Sequence, residues 1–256
     1  MTSHELSVHE PSTTLGVQYK VASTLEERAA ALQLVYESYL CAGLAEPNPH
    51  GMRVTPYHLL ETTEVFIATY SGEVIFTMSL VIDGELGLPM EVAYRHEIQA
   101  RRQRGLLLGE VSCLADRRKV FRGFLPVFVR LSRLMAQYAW RRGLDELVIA
   151  VHPRHAPFYQ RFMAFEPFGE RKNYPTVRNR PATAFALNFD QIDRERPRSF
   201  DTFFGQWLPD GQLTPQPLSQ SDRDFFCPMV DASFTVVPLE IPGALSESIP
   251  ASMPLT

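Results

Sequence analysis

The chain's 256 residues are 45% hydrophobic and 11% aromatic, enough for one large domain or a domain of about 170 residues carrying arms, and a mainly disordered protein is excluded. No apolar run reaches the roughly 18 residues of a membrane helix, and residues 1–14 are polar, with His4, Glu5, His9 and Glu10 where a secretory signal would be basic and then apolar. A cytoplasmic protein without an integral membrane segment is expected. The net charge of −4 is unevenly divided. Between Arg95 and Arg142 lie 12 Lys and Arg against 3 Asp and Glu, a local +9 that leaves −13 elsewhere and calls for an anionic partner or a strongly solvated surface.

In chain order, residues 1–15 show no apolar period and read as a flexible leader. Val17, Tyr19 and Val21 alternate as a half-buried strand does. Thr24-Leu25-Glu26-Glu27 is a capping box opening a helix to about Leu40, with Leu32, Val35, Tyr36 and Tyr39 on its apolar stripe and Gly43 ending it. After a Pro-rich loop and a short helix at 57–61, the β-rich runs 65–68 and 74–82 flank Ser71-Gly72 as a hairpin. A polar helical stretch at 90–104 leads to a strand at 107–115 and a basic loop at 117–123. Phe124, Phe128, Leu131, Met135 and Tyr138 mark the buried stripe of the next helix, which ends at Gly143; Arg130, Arg133, Gln137 and Arg141 share a basic face of it. A strand at 147–151, a helix at 153–163 with Pro153 in its first turn and a strand at 183–189 follow.

The order β-α-α-β-β-α-β-α-β-α-β-β predicts an α+β domain over 16–190, a central mixed sheet flanked by helices. Residues 191–256 form a Pro-rich C-terminal arm holding nine of the 20 prolines; it is expected to be partly ordered, with a short helix at 219–226 and an extended or disordered tail from 236. Cys41, Cys113 and Cys227 are odd in number and far apart, and the histidines lack ligand spacing, so neither disulfide nor metal is expected.

Two segments carry a family resemblance: Glu110-Val-Ser-Cys-Leu-Ala115, and the run from His152-Pro-Arg-His155 through Phe158-Tyr-Gln-Arg161 to Phe165-Glu166. Val35-Tyr-Glu-Ser-Tyr39, Leu88-Pro-Met90 and Arg180-Pro-Ala182 support them. Together, over roughly residues 17–190, they resemble the GNAT superfamily of N-acyltransferases, in particular its long-chain N-acyl amino acid synthase branch of the FeeM type, which is related to the acyl-homoserine-lactone synthases. Three positions depart from the pattern: Cys113 where an Arg is usual, Ala164 where Gly is common, and His152 where Asn is frequent.

The resemblance implies a transferase that uses an acyl carrier protein thioester or acyl-CoA as co-substrate, with no tightly bound cofactor, and an amino acid or other small primary amine as acceptor. Acetyl-CoA users of the superfamily carry a Gly-rich loop whose amides cradle pyrophosphate. Here that loop reads Asp116-Arg-Arg-Lys-Val-Phe-Arg-Gly123, which suits a donor arm presented by an acidic carrier protein. Arg117, Arg118, Lys119, Arg122 and Gly123 are therefore the donor-binding candidates; the bland alternative is a solvated charged face.

Acyl transfer from a thioester to an amine needs a neutral amine, a stabilised oxyanion and a proton for the departing thiolate. Glu110 is the candidate base, or alternatively a strand-end carboxylate paired with an arginine. By the fold, the backbone at Ser112, Cys113 and Leu114 is the candidate oxyanion and thioester site. Cys113 itself reads as a small buried hydrophobe rather than a nucleophile. Tyr159 stands where the family places the acid, and His155, four residues earlier, is the candidate relay; both are otherwise ordinary helix residues. Phe76, Met78, Phe128 and Met135 are expected to line an acyl tunnel.

Three alternatives stand beside this reading. A conventional CoA-dependent acetyltransferase would react with acetyl-CoA. An acyl-homoserine-lactone synthase would bring an N-terminal S-adenosylmethionine pattern that is not placed here. A non-catalytic GNAT module would bind an acyl carrier without turnover. Nucleic acid is not expected: aromatics are scarce among the exposed basic positions, Tyr94 and Phe121 being the main ones, and the chain as a whole is acidic.

Overall fold

The computed structural model describes residues 16–117, 124–232, 234 and 236. Strand β1 (Val17–Val21) runs into Thr24, whose hydroxyl accepts from the Glu27 amide (3.3 Å) while the Glu27 carboxylate reaches back to the Ser23 amide (2.9 Å). This reciprocal cap starts α1 (Leu25–Cys41), which ends as Gly43 turns to φ +66°. A short 3₁₀ turn at Pro56–Leu59 precedes β2 (Thr63–Tyr70) and β3 (Glu73–Ile82). Ser71 and Gly72, both at positive φ, form the tight turn of this hairpin. There follow α2 (Glu91–Gln103), β4 (Leu108–Asp116), α3 (Phe124–Arg141), β5 (Glu146–Val151), α4 (Ala156–Met163), β6 (Glu166–Tyr174) and β7 (Arg180–Asn188).

The seven strands lie in the order β1-β2-β3-β4-β5-β7-β6, and only the β4–β5 pair is parallel. Alternation along each strand divides the core. Phe66, Ala68, Phe76 and Met78 face α3, while Val65 and Ile67 face α1. α2 covers the neighbouring part of the α1 face through Tyr94 and Ile98. The α+β architecture and the mixed sheet are those expected. Among the described residues, no helix is long and apolar enough to cross a membrane.

The chain continues past residue 190 into α5 (Phe189–Glu195), α6 (Phe200–Phe204) and α7 (Gln220–Phe226). The expected short helix near 219 is α7, with Ser219 as its cap. This arm runs over α3 and then to the α1 side, where Leu218 and Phe226 join Leu32 and Val54. The basic face expected on α3 is its seat. Gln137 is fully buried, its Nε2 donating to the carbonyls of Phe203 (2.7 Å) and Gln206 (2.9 Å) while its Oε1 accepts from the Leu208 amide (2.7 Å). Arg133 also donates to the Gln206 carbonyl, and Arg141 pairs with Asp210.

Part of the +9 segment is neutralised from outside itself. Arg101 pairs with Glu146 (2.8 Å), and Arg102 with Asp83 (2.5 Å) and Glu91. Tyr94, expected as an exposed aromatic, is fully buried, with its hydroxyl within reach of the Glu170 and Ala182 carbonyls (3.0 and 2.8 Å). Phe121, the leader and the tail from 237 lie outside the described residues.

Candidate active site

β4 and β5 pair over three positions only, Leu108↔Glu146, Gly109↔Leu147 and Glu110↔Val148, and then diverge. β5 goes on pairing with β7 to Val151. β4 goes on pairing with β3, but its register slips between Ser79↔Ser112 and Thr77↔Ala115. Cys113 and Leu114 therefore both fall opposite Met78, and Cys113 takes φ +52°. This is a β-bulge, which turns backbone polar groups out of the ladder. The family resemblance implied a splayed strand around Ser112, Cys113 and Leu114; β4 leaves β5 after Glu110 and bulges at Cys113 and Leu114.

On the α1 face the wedge opens into a polar chamber lined by Tyr39, Arg53, Glu110, His152, Tyr174 and Arg180, among others. Glu110, the last β4 residue to pair with β5, is 2% exposed, and its Oε2 accepts from the Met90 amide at 2.7 Å. Burial pushes its carboxyl up to about 8, opposed by the Met90 amide, with nearby Glu91 adding to the rise. Arg53 is 4% exposed. Its Nη2 donates to the Thr176 carbonyl (2.7 Å), its Nη1 lies 3.6 Å from Asp231, and its guanidinium sits over the rings of Tyr39 and Phe234. The Arg53 Nε is buried with no hydrogen-bond partner among the described residues.

On the α3 face the wedge opens into an apolar chamber lined by Met78, Phe128, Met135, Tyr159, Met163 and Phe165 together with the bulge residues. The two chambers share Tyr39, Val111, Ser112, Cys113 and Ala150, which stand between them. Burial pushes the Tyr159 phenol up to about 12, which keeps it protonated at neutral pH. Burial likewise raises the Cys113 thiol and leaves it a poor nucleophile.

The structure thus brings Glu110, Tyr159, the Ser112–Leu114 backbone, Met78, Phe128 and Met135 to one wedge. Phe76 stands behind the apolar wall, packed on Phe124 and Phe128. His155 is not brought there: it is exposed, and its Nε2 accepts from Arg154 (2.9 Å), while His152 is the histidine that lines the polar chamber. The Arg117 Nε donates to the Val74 carbonyl (3.3 Å), which ties that side chain to the edge of β3. Arg118, Lys119, Arg122 and Gly123 lie outside the described residues. Arg53, Tyr39 and Tyr174 were not anticipated. The one sequence signal for Arg53 is a lone arginine between apolar Met52 and Val54.

The family model of the N-acyl amino acid synthase FeeM matches residues 30–188, which include every element of the wedge. Among solved structures, FeeM, an N-acyl amino acid synthase from uncultured soil microbes, is 27% identical over 71% of this chain and 94% of its own, with a TM-score of 0.63. The AHL synthase LasI, 15% identical over 75% of this chain and 96% of its own, shares the fold with a TM-score of 0.53. No curated protein sequence matches. The chain belongs to the FeeM N-acyl amino acid synthase family and is an acyltransferase of the GNAT fold.

Proposed function

We propose that the protein moves a long fatty acyl group from an acyl carrier protein thioester to the α-amine of an amino acid. The observation that carries this reading is the wedge itself. It sets a chamber holding a buried carboxyl and a buried guanidinium directly against an apolar chamber holding a protonated phenol. The acceptor carboxylate pairs with the Arg53 guanidinium, and its ammonium gives a proton to Glu110, directly or through one water. The free amine attacks the thioester carbon, a C–N bond forms, and the oxyanion is held by backbone N–H groups at the β4 bulge. As the C–S bond breaks, the thiolate takes the Tyr159 proton, the second proton shed by the attacking nitrogen restores the phenol, and the acyl chain lies between Met78, Phe128 and Met135.

The choice of a carrier-bound donor rests on the basic, Gly-poor run from Asp116 to Gly123. Incubation with acyl carrier protein thioesters and a mixture of amino acids, read by mass spectrometry, is expected to give N-acyl amino acids. Acetylation of amines from acetyl-CoA, with no fatty acyl amide formed, overturns the reading in favour of a conventional acetyltransferase.

A further inference from the structure

The apolar chamber does not end the hollow on the α3 face. Ser132, Met135, Met163 and Phe165 form one of its walls, and the same four residues line a second, apolar hollow beyond it. The far side of that hollow is built by Phe200, Phe203 and Phe204 of α6, with Ile192 and Pro197. All five lie beyond residue 188, where the family match ends. We propose that the C-terminal arm is the ruler for acyl chain length, with the tail of the chain passing between Met135 and Met163 to stop against α6. This rests on the fatty acyl reading above.

Three observations support it. The hollow as it stands holds little free space, and its inner wall is made largely of two methionines, the unbranched side chains that change rotamer most readily to admit an apolar guest. The far wall is fixed: the buried Gln137 holds the carbonyls of Phe203 and Gln206, so α6 cannot drift outward without stranding three hydrogen bonds. Ala136, on the α3 side of the hollow, is small, so the space between α3 and α6 depends on the arm residues that face it.

The site also carries its own reporter. The chain has two tryptophans, Trp140 and Trp207, and both rings pack with Phe204, at 5.0 and 6.4 Å between centroids. Fatty acids brominated at the terminal carbon quench tryptophan on close approach. Long chains are expected to quench and short ones are not, with Ala136→Leu raising the concentration needed for quenching by roughly tenfold or more. In turnover with a mixture of acyl carrier thioesters, Phe203→Leu and Ala136→Leu should move the product profile in opposite directions, to longer and to shorter chains, by about 10-fold or more in product ratio. If no fatty acyl amide forms but length-dependent quenching persists, the functional reading fails and the lipid-binding hollow stands. If quenching is absent or independent of chain length, or if both folded, active variants keep the parent profile, the ruler is refuted.

Discussion

A carboxyl lifted by burial to about 8 is a base only where it has lost its proton, so turnover should climb with pH through about 8 as Glu110 ionises. Stability runs the other way. The unfolded chain releases this proton near the ordinary value of 4.5, the folded chain keeps it to about 8, and the stabilisation present at low pH is lost as pH rises across that window. Glu110→Gln should therefore lower kcat/KM by about 10²–10⁴-fold, abolish the climb in a pH–rate profile, and flatten the decline of Tm with pH over the same window. Ala164 closes α4 at φ +57°, a left-handed conformation that an L side chain adopts at a cost and glycine adopts freely. Ala164→Gly should raise stability by roughly 0.5–1 kcal/mol in denaturant titration, the strain relieved being partly offset by the looser unfolded chain.

Among the elements, those with strong local signals were legible in the sequence. The Thr24 cap, the Ser71-Gly72 turn and the stripe of α3 from Phe128 to Tyr138 stand where their chemistry puts them, while Phe124, expected on that stripe, is exposed in the first turn. β6 was given no residues because Glu166–Tyr174 is largely exposed and charged; its partner β7 holds it through two register shifts, a tertiary effect with no local period. The basic stripe of α3 misled because a helix face that binds another segment's backbone carbonyls looks, in one dimension, like a solvated one. The placement of Glu110 at the wedge was legible from its motif, whereas that of Arg53 was not, because it depends on Tyr39, Thr176 and Asp231, brought in from distant parts of the chain. Gln137→Leu keeps the volume but leaves the Phe203 and Gln206 carbonyls and the Leu208 amide without partners. It is expected to cost about 3 kcal/mol or more and to expose the 200–208 segment to protease before the sheet unfolds.

For the whole molecule, the near-neutral total charge conceals a pairing scheme. Arg101 and Arg102 of α2 and Arg141 of α3 are matched by Asp83, Glu91, Glu146 and Asp210, so the +9 segment is no uniform basic field. The donor-binding candidates Arg118, Lys119 and Arg122 stand in the short run before α3. Reversing Arg118 and Lys119 to Glu should raise KM for an acyl carrier thioester by about tenfold, steepen with falling salt, and leave kcat within about twofold.

The arm closes on the domain through partners very far apart in sequence: the Gln216 amide donates to Glu64 at a separation of 152 residues, and Arg28 meets Asp222 at 194. Contacts of such span form slowly, because the intervening chain must be ordered first. In refolding, the sheet and the Glu110 wedge should be assembled while the polar chamber still lacks Phe234 and Arg53 still lacks Asp231, and on the ribosome they stay so until residue 234 has emerged. Enclosure of the site is then the closing event of folding, and its kinetics are set by the arm rather than by the catalytic fold.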